Sequence, residues 1–219
     1  MKHDSDQLAN LINELSAYDT KFLDLSAAIL QANHQNMYAI DLLSVAVLNR
    51  AIQLTNGFSL LAGNNNYLCA IPLIRMQLDN ALRFYAFYLV QDGNKLFSHF
   101  IDGKPINRYR DKKGNLLTDN YLATSVDKIF PGVLAIYRNT SGHIHLSEQH
   151  LFATKEPKTN DKQPSRIAVG GNTDPFSPKL KINFASTMNE VNKLVYILLD
   201  QWRREKELKT NGPLVLALV

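Results

Sequence analysis

A single cysteine, Cys69, rules out an intrachain disulfide and a thiolate metal cluster, which fits a reducing compartment. Long hydrophobic runs are missing too. Tyr67 to Ile74 is among the longest, and a membrane-spanning helix needs roughly 20 residues. The opening Met1-Lys2-His3-Asp4-Ser5-Asp6 is polar, with nothing like the apolar centre of a signal peptide. A cytoplasmic protein that does not enter a membrane is expected. The tail Leu214 to Val219 is apolar but short, and is expected to pack against the core or a partner. The chain also lacks a Gly-rich phosphate loop, a Gly-x-Ser-x-Gly elbow and a His-Glu-x-x-His helix. Several large enzyme classes lose support on that ground, and neither a cofactor nor a metal is expected.

What is present is an ordinary globular composition, 45% hydrophobic and 20% charged, enough to bury a core without staples. A formal charge of +4 permits contact with phosphate without requiring it. Basic residues gather at Lys104, Arg108, Arg110, Lys112 and Lys113, and again at Arg203, Arg204, Lys206 and Lys209. Acidic neighbours interrupt both groups, as on a solvated surface.

Apolar residues recur at alternating steps of three and four in four places. Leu8, Leu11, Leu15, Tyr18, Phe22, Leu25 and Ile29 form the first stripe; after His34-Gln35-Asn36, Ile40, Leu43, Val47, Ala51, Leu54, Phe58 and Leu61 form the second. Gly63-Asn64-Asn65-Asn66 stops that run. Ile71, Ile74, Leu78, Leu82, Tyr85 and Leu89 make a third stripe, with Pro72 early in it, and Phe184, Met188, Val191, Val195, Leu198 and Trp202 a fourth. The fold expected is all-α: one domain over residues 1–219, an up-and-down bundle of about four long helices. Residues 93–181 form an excursion from it. Asp102 to Thr118 reads as a loop and Asp119 to Ser141 as short helices around Pro131-Gly132, with Gly142 as a stop. His143-Ile144-His145-Leu146 and Arg166-Ile167-Ala168-Val169 are candidates for a small β-hairpin.

Chemistry concentrates in Tyr137-Arg138-Asn139-Thr140-Ser141-Gly142-His143-Ile144-His145-Leu146-Ser147. Arg138-Asn139 is followed by His143 after four intervening residues and by His145 after six. This spacing resembles the motif of the HEPN superfamily of helical bundles, an arginine with a polar neighbour and then a histidine. The third stripe, Ile71-Pro72-Leu73-Ile74-Arg75-Met76-Gln77-Leu78-Asp79-Asn80-Ala81-Leu82-Arg83, resembles the arginine-and-acid helix of some HEPN-like bundles. The likeness runs from about Ile40 to Ser147.

The resemblance implies metal-independent RNA cleavage, in which a ribose 2′-hydroxyl attacks the adjacent phosphate. Arg138, Asn139, His143 and His145 are then the catalytic candidates, and Arg75, Arg83, Arg108 and Arg110 the substrate-binding ones. It also implies a homodimer that pairs two motifs, and a toxin or phage-defence role with an antitoxin or regulatory protein as partner. The residue types suit the chemistry: a histidine moves protons near neutral pH, and a guanidinium offers a phosphate two aligned donors.

Two other readings of the same residues stand beside catalysis. Arg138 can be an ion-pair partner with His143 and His145 structural, in a non-enzymatic dimeric scaffold. His143, His145, His150 and Glu148 can instead be metal ligands, since residues two apart on a strand share a face. On the third helix Arg75, Asp79 and Arg83 stand four apart, so that the carboxylate can pair with both guanidiniums, as a structural ladder or with one arginine freed for phosphate. Phe84, Tyr85, Phe87 and Tyr88 are expected in the core or a dimer interface.

Overall fold

The computed structural model describes residues 2–144, 147–153, 167 and 176–208. Its helices are α1 (Lys2–Gln31), α2 (Ala39–Gly63), α3 (Tyr67–Leu89), α4 (Gly93–Ile101), α5 (Asp119–Asp127), α6 (Val133–Ser141), α7 (Glu148–Ala153) and α8 (Pro178–Glu207). The all-α bundle is as expected, and no strand occurs among the described residues. Of the hairpin, His143 and Ile144 form a turn after α6; His145, Leu146, Arg166, Ala168 and Val169 lie outside the described residues.

All four stripes face one core, with Phe22, Ala51, Phe58, Leu78, Val195 and Trp202 shut off from solvent. The aromatic run of α3, Phe84 to Tyr88, is buried there as well. Three non-glycine residues at positive φ, Asn33, His34 and Gln35, reverse the chain between α1 and α2. Asn66, whose side chain accepts the Cys69 N–H, starts α3.

Helices α1, α2 and α3 run up, down and up, but α8 does not complete the alternation. Its Asn189 donates to Leu11 O and its Lys206 to Ile29 O, so it advances in the same direction as α1. Against α3, the Phe184 ring meets Tyr67, Asn192 meets Gln77, and Leu198 O accepts from Tyr88, again a parallel order. Only α2 opposes it, with Thr55 on Asn192 and Asp41 on Trp202. The long excursion explains this. A short loop forces an antiparallel neighbour, whereas about ninety residues of connection carry the chain back to the starting end, as the long crossovers of some bundles do.

The far end of α8 is locked by a buried ion pair. Lys206 Nζ lies 2.9 Å from Asp41 Oδ2 and both residues are 0% exposed. The same ammonium donates to Ile29 O at 2.7 Å, and Trp202 Nε1 donates to Asp41 Oδ1 at 2.7 Å. Asp41 also accepts the Tyr38 N–H at 2.8 Å, capping the start of α2. Removing one member of a buried pair strands the other charge. Lys206→Met is therefore expected to cost about 3–5 kcal/mol in urea unfolding, and Asp41→Asn/Lys206→Met less than that single change. A double variant as weak as the sum of its singles contradicts the coupling.

Candidate functional site

The excursion delivers two short helices onto α3. Asp111 organises the loop before α5 by accepting from Tyr121 Oη at 2.5 Å, Asn115 N at 2.8 Å and Lys113 N at 2.9 Å. Burial pushes its carboxyl up, but these hydrogen bonds outweigh it and hold the group below the ordinary carboxylate range. Thr118 then caps α5 and sets Asp119 in its first turn. At the other end of α5, Asp127 Oδ1 accepts from Gly132 N at 2.9 Å and Leu134 N at 3.0 Å, fixing the entry to α6. Gly132 sits at φ +105°, where a side chain would be strained.

Helix α6 separates two hollows. On one side a cleft of about 440 Å³ is lined by Arg50 of α2, Arg75, Met76 and Asp79 of α3, Asp119 of α5, and Tyr137, Ser141 and Ile144. On the other, Ile129, Phe130, Pro131, Val133 and Ile136 meet Val191, Leu194 and Ile197 of α8 around a mainly apolar groove of about 550 Å³, which Glu190 and Lys193 also line.

The cleft is an arginine–aspartate lattice. Arg75 Nη2 is 3.2 Å from Asp119 Oδ2, and its guanidinium lies 4.7 Å from the Tyr137 ring centre. Arg83 bonds Asp119 Oδ1 through Nη2 and Asp79 Oδ1 at 3.2 Å through Nε. Arg50 Nη1 donates to Asn80 Oδ1 and stands 3.7 Å from Asp79 Oδ2. The expected Arg75–Asp79–Arg83 ladder is thus half present: Asp79 holds Arg83, while Arg75 turns to Asp119, which is 44 positions away in sequence.

Arg138 and Asn139 occupy the exposed face of α6 and have no ion pair or hydrogen bond among the described residues. They are one and two steps on from Tyr137, each about 100° around the helix, and so stand outside the cleft. His143 follows the helix end; its N–H donates to Thr140 O at 3.1 Å. Its ring is half-buried, Nδ1 is enclosed with no hydrogen-bond partner among the described residues, and the ring centre is 6.2 Å from that of His150. Burial first, and the nearby His150 second, push the His143 imidazole below its ordinary 6.5. His150 Nδ1 accepts the Ser147 N–H at 3.2 Å, so in neutral His150 the ring proton sits on Nε2.

His145, the fourth catalytic candidate, lies outside the described residues. Arg108 is exposed on a one-turn helix; Arg110 donates to Gly114 O at 2.7 Å and lines a separate hollow with Asp92, Lys95 and Lys112. The structure therefore gathers Arg75 and Arg83 and leaves Arg108 and Arg110 apart. Among the described residues no three His, Cys, Asp or Glu side chains gather in a way that could hold a metal ion.

Sequence reasoning passed over Arg50, Asp119 and Tyr137 as cleft residues. Tyr137 and Ser141 are four apart, which is the signal for a shared helical face; Arg50 and Asp119 have no local signal. No family model matches the chain, and neither a curated protein nor a solved structure is similar to it.

Asp119 pins two arginines and joins α5 to α3. Asp119→Ala is expected to lower stability by about 2–4 kcal/mol, two charge-assisted hydrogen bonds being lost. Chemical denaturation checks this, and a loss under about 0.5 kcal/mol would show the lattice to be solvated rather than structural.

Proposed function

We propose that this protein is a HEPN-like homodimeric bundle that binds RNA and cleaves it without a metal ion, with Arg138, Asn139 and His143 at the reacting phosphate. The observation that carries the reading is the corner at the end of α6. An arginine and an asparagine with no side-chain partner among the described residues face solvent there, and past the helix end stands a half-buried histidine whose imidazole is pushed by burial below its ordinary 6.5.

A neutral imidazole accepts the 2′-hydroxyl proton while the 2′-oxygen attacks phosphorus. The 5′-oxygen leaves and takes a proton from an acid, giving a cyclic phosphate and a 5′-hydroxyl. Arg138 stabilises charge on the phosphoryl oxygens with its aligned donors, and Asn139 orients one of them. A single histidine serves poorly as both base and acid, so a second copy of the corner, brought by a dimer partner, completes the pair. Arg75 and Arg83 supply positive charge on the adjoining surface. A toxin or phage-defence protein controlled by an antitoxin fits the same activity.

A specific observation favours a second reading, the non-enzymatic dimeric scaffold. The groove between the α5–α6 turn and α8 is mainly apolar, with Ile129 and Ile197 partly exposed along it, and a partner surface would cover it. A dimer by sedimentation that leaves mixed RNA intact selects the scaffold.

Cleavage of mixed RNA in EDTA tests the first reading. Arg138→Ala and His143→Ala are each expected to lower the rate by about a hundredfold or more. RNA left uncut by the wild-type protein, or cut by both variants as fast as by the wild type, refutes it. A second expectation concerns pH. Because the folded imidazole titrates below its ordinary 6.5, the active neutral base is full above that value and is lost as pH falls through the lowered one. The acidic limb of kcat/KM is expected below pH 6.5 and should vanish in His143→Ala; a limb above pH 6.5 assigns the base elsewhere.

A further inference from the structure

Two arginines in the cleft beside α6 are fixed in place by the protein while much of their donor capacity stays unused. Arg75 gives Nη2 to Asp119 and rests on the Tyr137 ring. Its Nη1 and Nε have no partner among the described residues. Arg50 gives Nη1 to Asn80 and Asp79, and its Nη2 and Nε are likewise unclaimed.

Behind Arg50 runs a chain of buried amides. Asn80 Nδ2 donates to Gln77 Oε1 at 2.9 Å, and Gln77 Nε2 donates to Asn192 Oδ1. Because Gln77 takes the amide hydrogens of Asn80, the carbonyl of Asn80 must face Arg50. Core hydrogen bonds therefore set the position of a guanidinium whose side chain is 42% exposed at the cleft. Preorganised donors with spare capacity are what an anionic ligand requires.

The charge of the lattice narrows the ligand. Three arginines, Arg50, Arg75 and Arg83, meet two aspartates, Asp79 and Asp119, leaving one positive charge. A single phosphoryl group, carrying about one negative charge as a diester and up to about two as a monoester, comes nearest to that surplus, whereas a polyphosphate would press further negative charge against the two carboxylates. Each aspartate oxygen retains lone pairs that accept from hydroxyl or amino groups. Met76, Tyr137 and Ile144 supply apolar wall, and a volume of about 440 Å³ lies within the range of small-ligand sites.

We propose that this cleft seats a single nucleoside phosphate, its phosphoryl group on Arg50 and Arg75 and its base against Met76, Tyr137 and Ile144. The proposal deepens the RNA reading above: the nucleotide is one unit of a single strand, held beside the corner where Arg138 and His143 act. A free mononucleotide presents the same chemistry, so the experiment has an arm for each source.

Calorimetric titration of the full chain with adenosine monophosphate, an adenylyl dinucleotide, inorganic phosphate and adenosine makes the test. Arg50→Gln and Met76→Glu are the two variants, with thermal unfolding to confirm that each is folded. The nucleotides are expected to bind, and each variant to weaken them by about ten- to a hundredfold, the loss of a charge-assisted contact or the gain of a repulsive one. Inorganic phosphate and adenosine should each bind at least about tenfold more weakly than the nucleotides, since each fills half the site. Tighter binding of the dinucleotide assigns the strand as the source, and tighter binding of the monophosphate assigns the free nucleotide.

Unchanged affinity in both variants, absence of nucleotide binding, or inorganic phosphate binding as tightly as nucleotide overturns the proposal. RNA cleavage that persists with any of these results sinks the cleft and spares the nuclease. Nucleotide binding that depends on Arg50 without any RNA cleavage does the reverse.

Discussion

The bundle depends on the buried contact between Lys206 and Asp41. A charge pair without solvent access is costly to form, and it tolerates misplacement poorly because its attraction must offset the loss of hydration. Here further hydrogen bonds support it: Lys206 also donates to the Ile29 carbonyl near the end of α1, and Asp41 also accepts from Trp202 Nε1 and from the Tyr38 amide just before α2. Three long helices meet at that point. An apolar seam alone would let α8 slide by a turn, since leucine and valine faces repack at modest cost. The ion pair allows one register. It thereby decides which residues of α8 lie opposite α3, including Asn192 opposite Gln77.

From Asn192 the constraint passes outward. Thr55 and Gln77 both donate to its carbonyl, Gln77 accepts from Asn80, and Asn80 accepts from Arg50. A chain of amides leaves little freedom in the direction of each dipole, even though Asn192 Nδ2 finds no partner among the described residues. A surface arginine is thus oriented by a helix it does not touch. The cleft borrows its rigidity from the bundle, while α5 and α6 add Asp119 and Tyr137 from a segment that the bundle alone would not need.

How much of this the sequence displays follows from the range of the interactions. The four stripes, the stops at Gly63 and Gly142 and the short helices around Pro131-Gly132 are local, and the residues that produce them lie within a few turns. The direction of α8 is not local: periodicity is the same for a helix read up or down, and only the length of the excursion hinted at a crossover. Helix α4, as long as α5 and α6, carried a signal in Asp92 capping Asn94 and Lys95 ahead of buried Leu96, and the reading of residues 93–181 as an excursion passed over it. Within the candidate site, Arg83–Asp79 was visible because the two residues are four apart on one helix. Arg75–Asp119 and Arg50–Asn80 were not, because each joins elements that only tertiary packing brings together.

The placement of α6 unites the local motif with the non-local cleft. Along one nine-residue helix, Tyr137 and Ser141 face the arginines, Ile136 faces the apolar groove, and Arg138 and Asn139 face solvent. A rotation of about 100° would exchange these roles, so the anchorage of the helix matters more than its composition. That anchorage is Asp127, bonded to two amides at the entry, with Gly132 accepting the turn that no other residue adopts without strain. The arginine cleft and the solvent-facing Arg138 and Asn139 are thus adjacent faces of one short helix, held in fixed relation by the same anchorage.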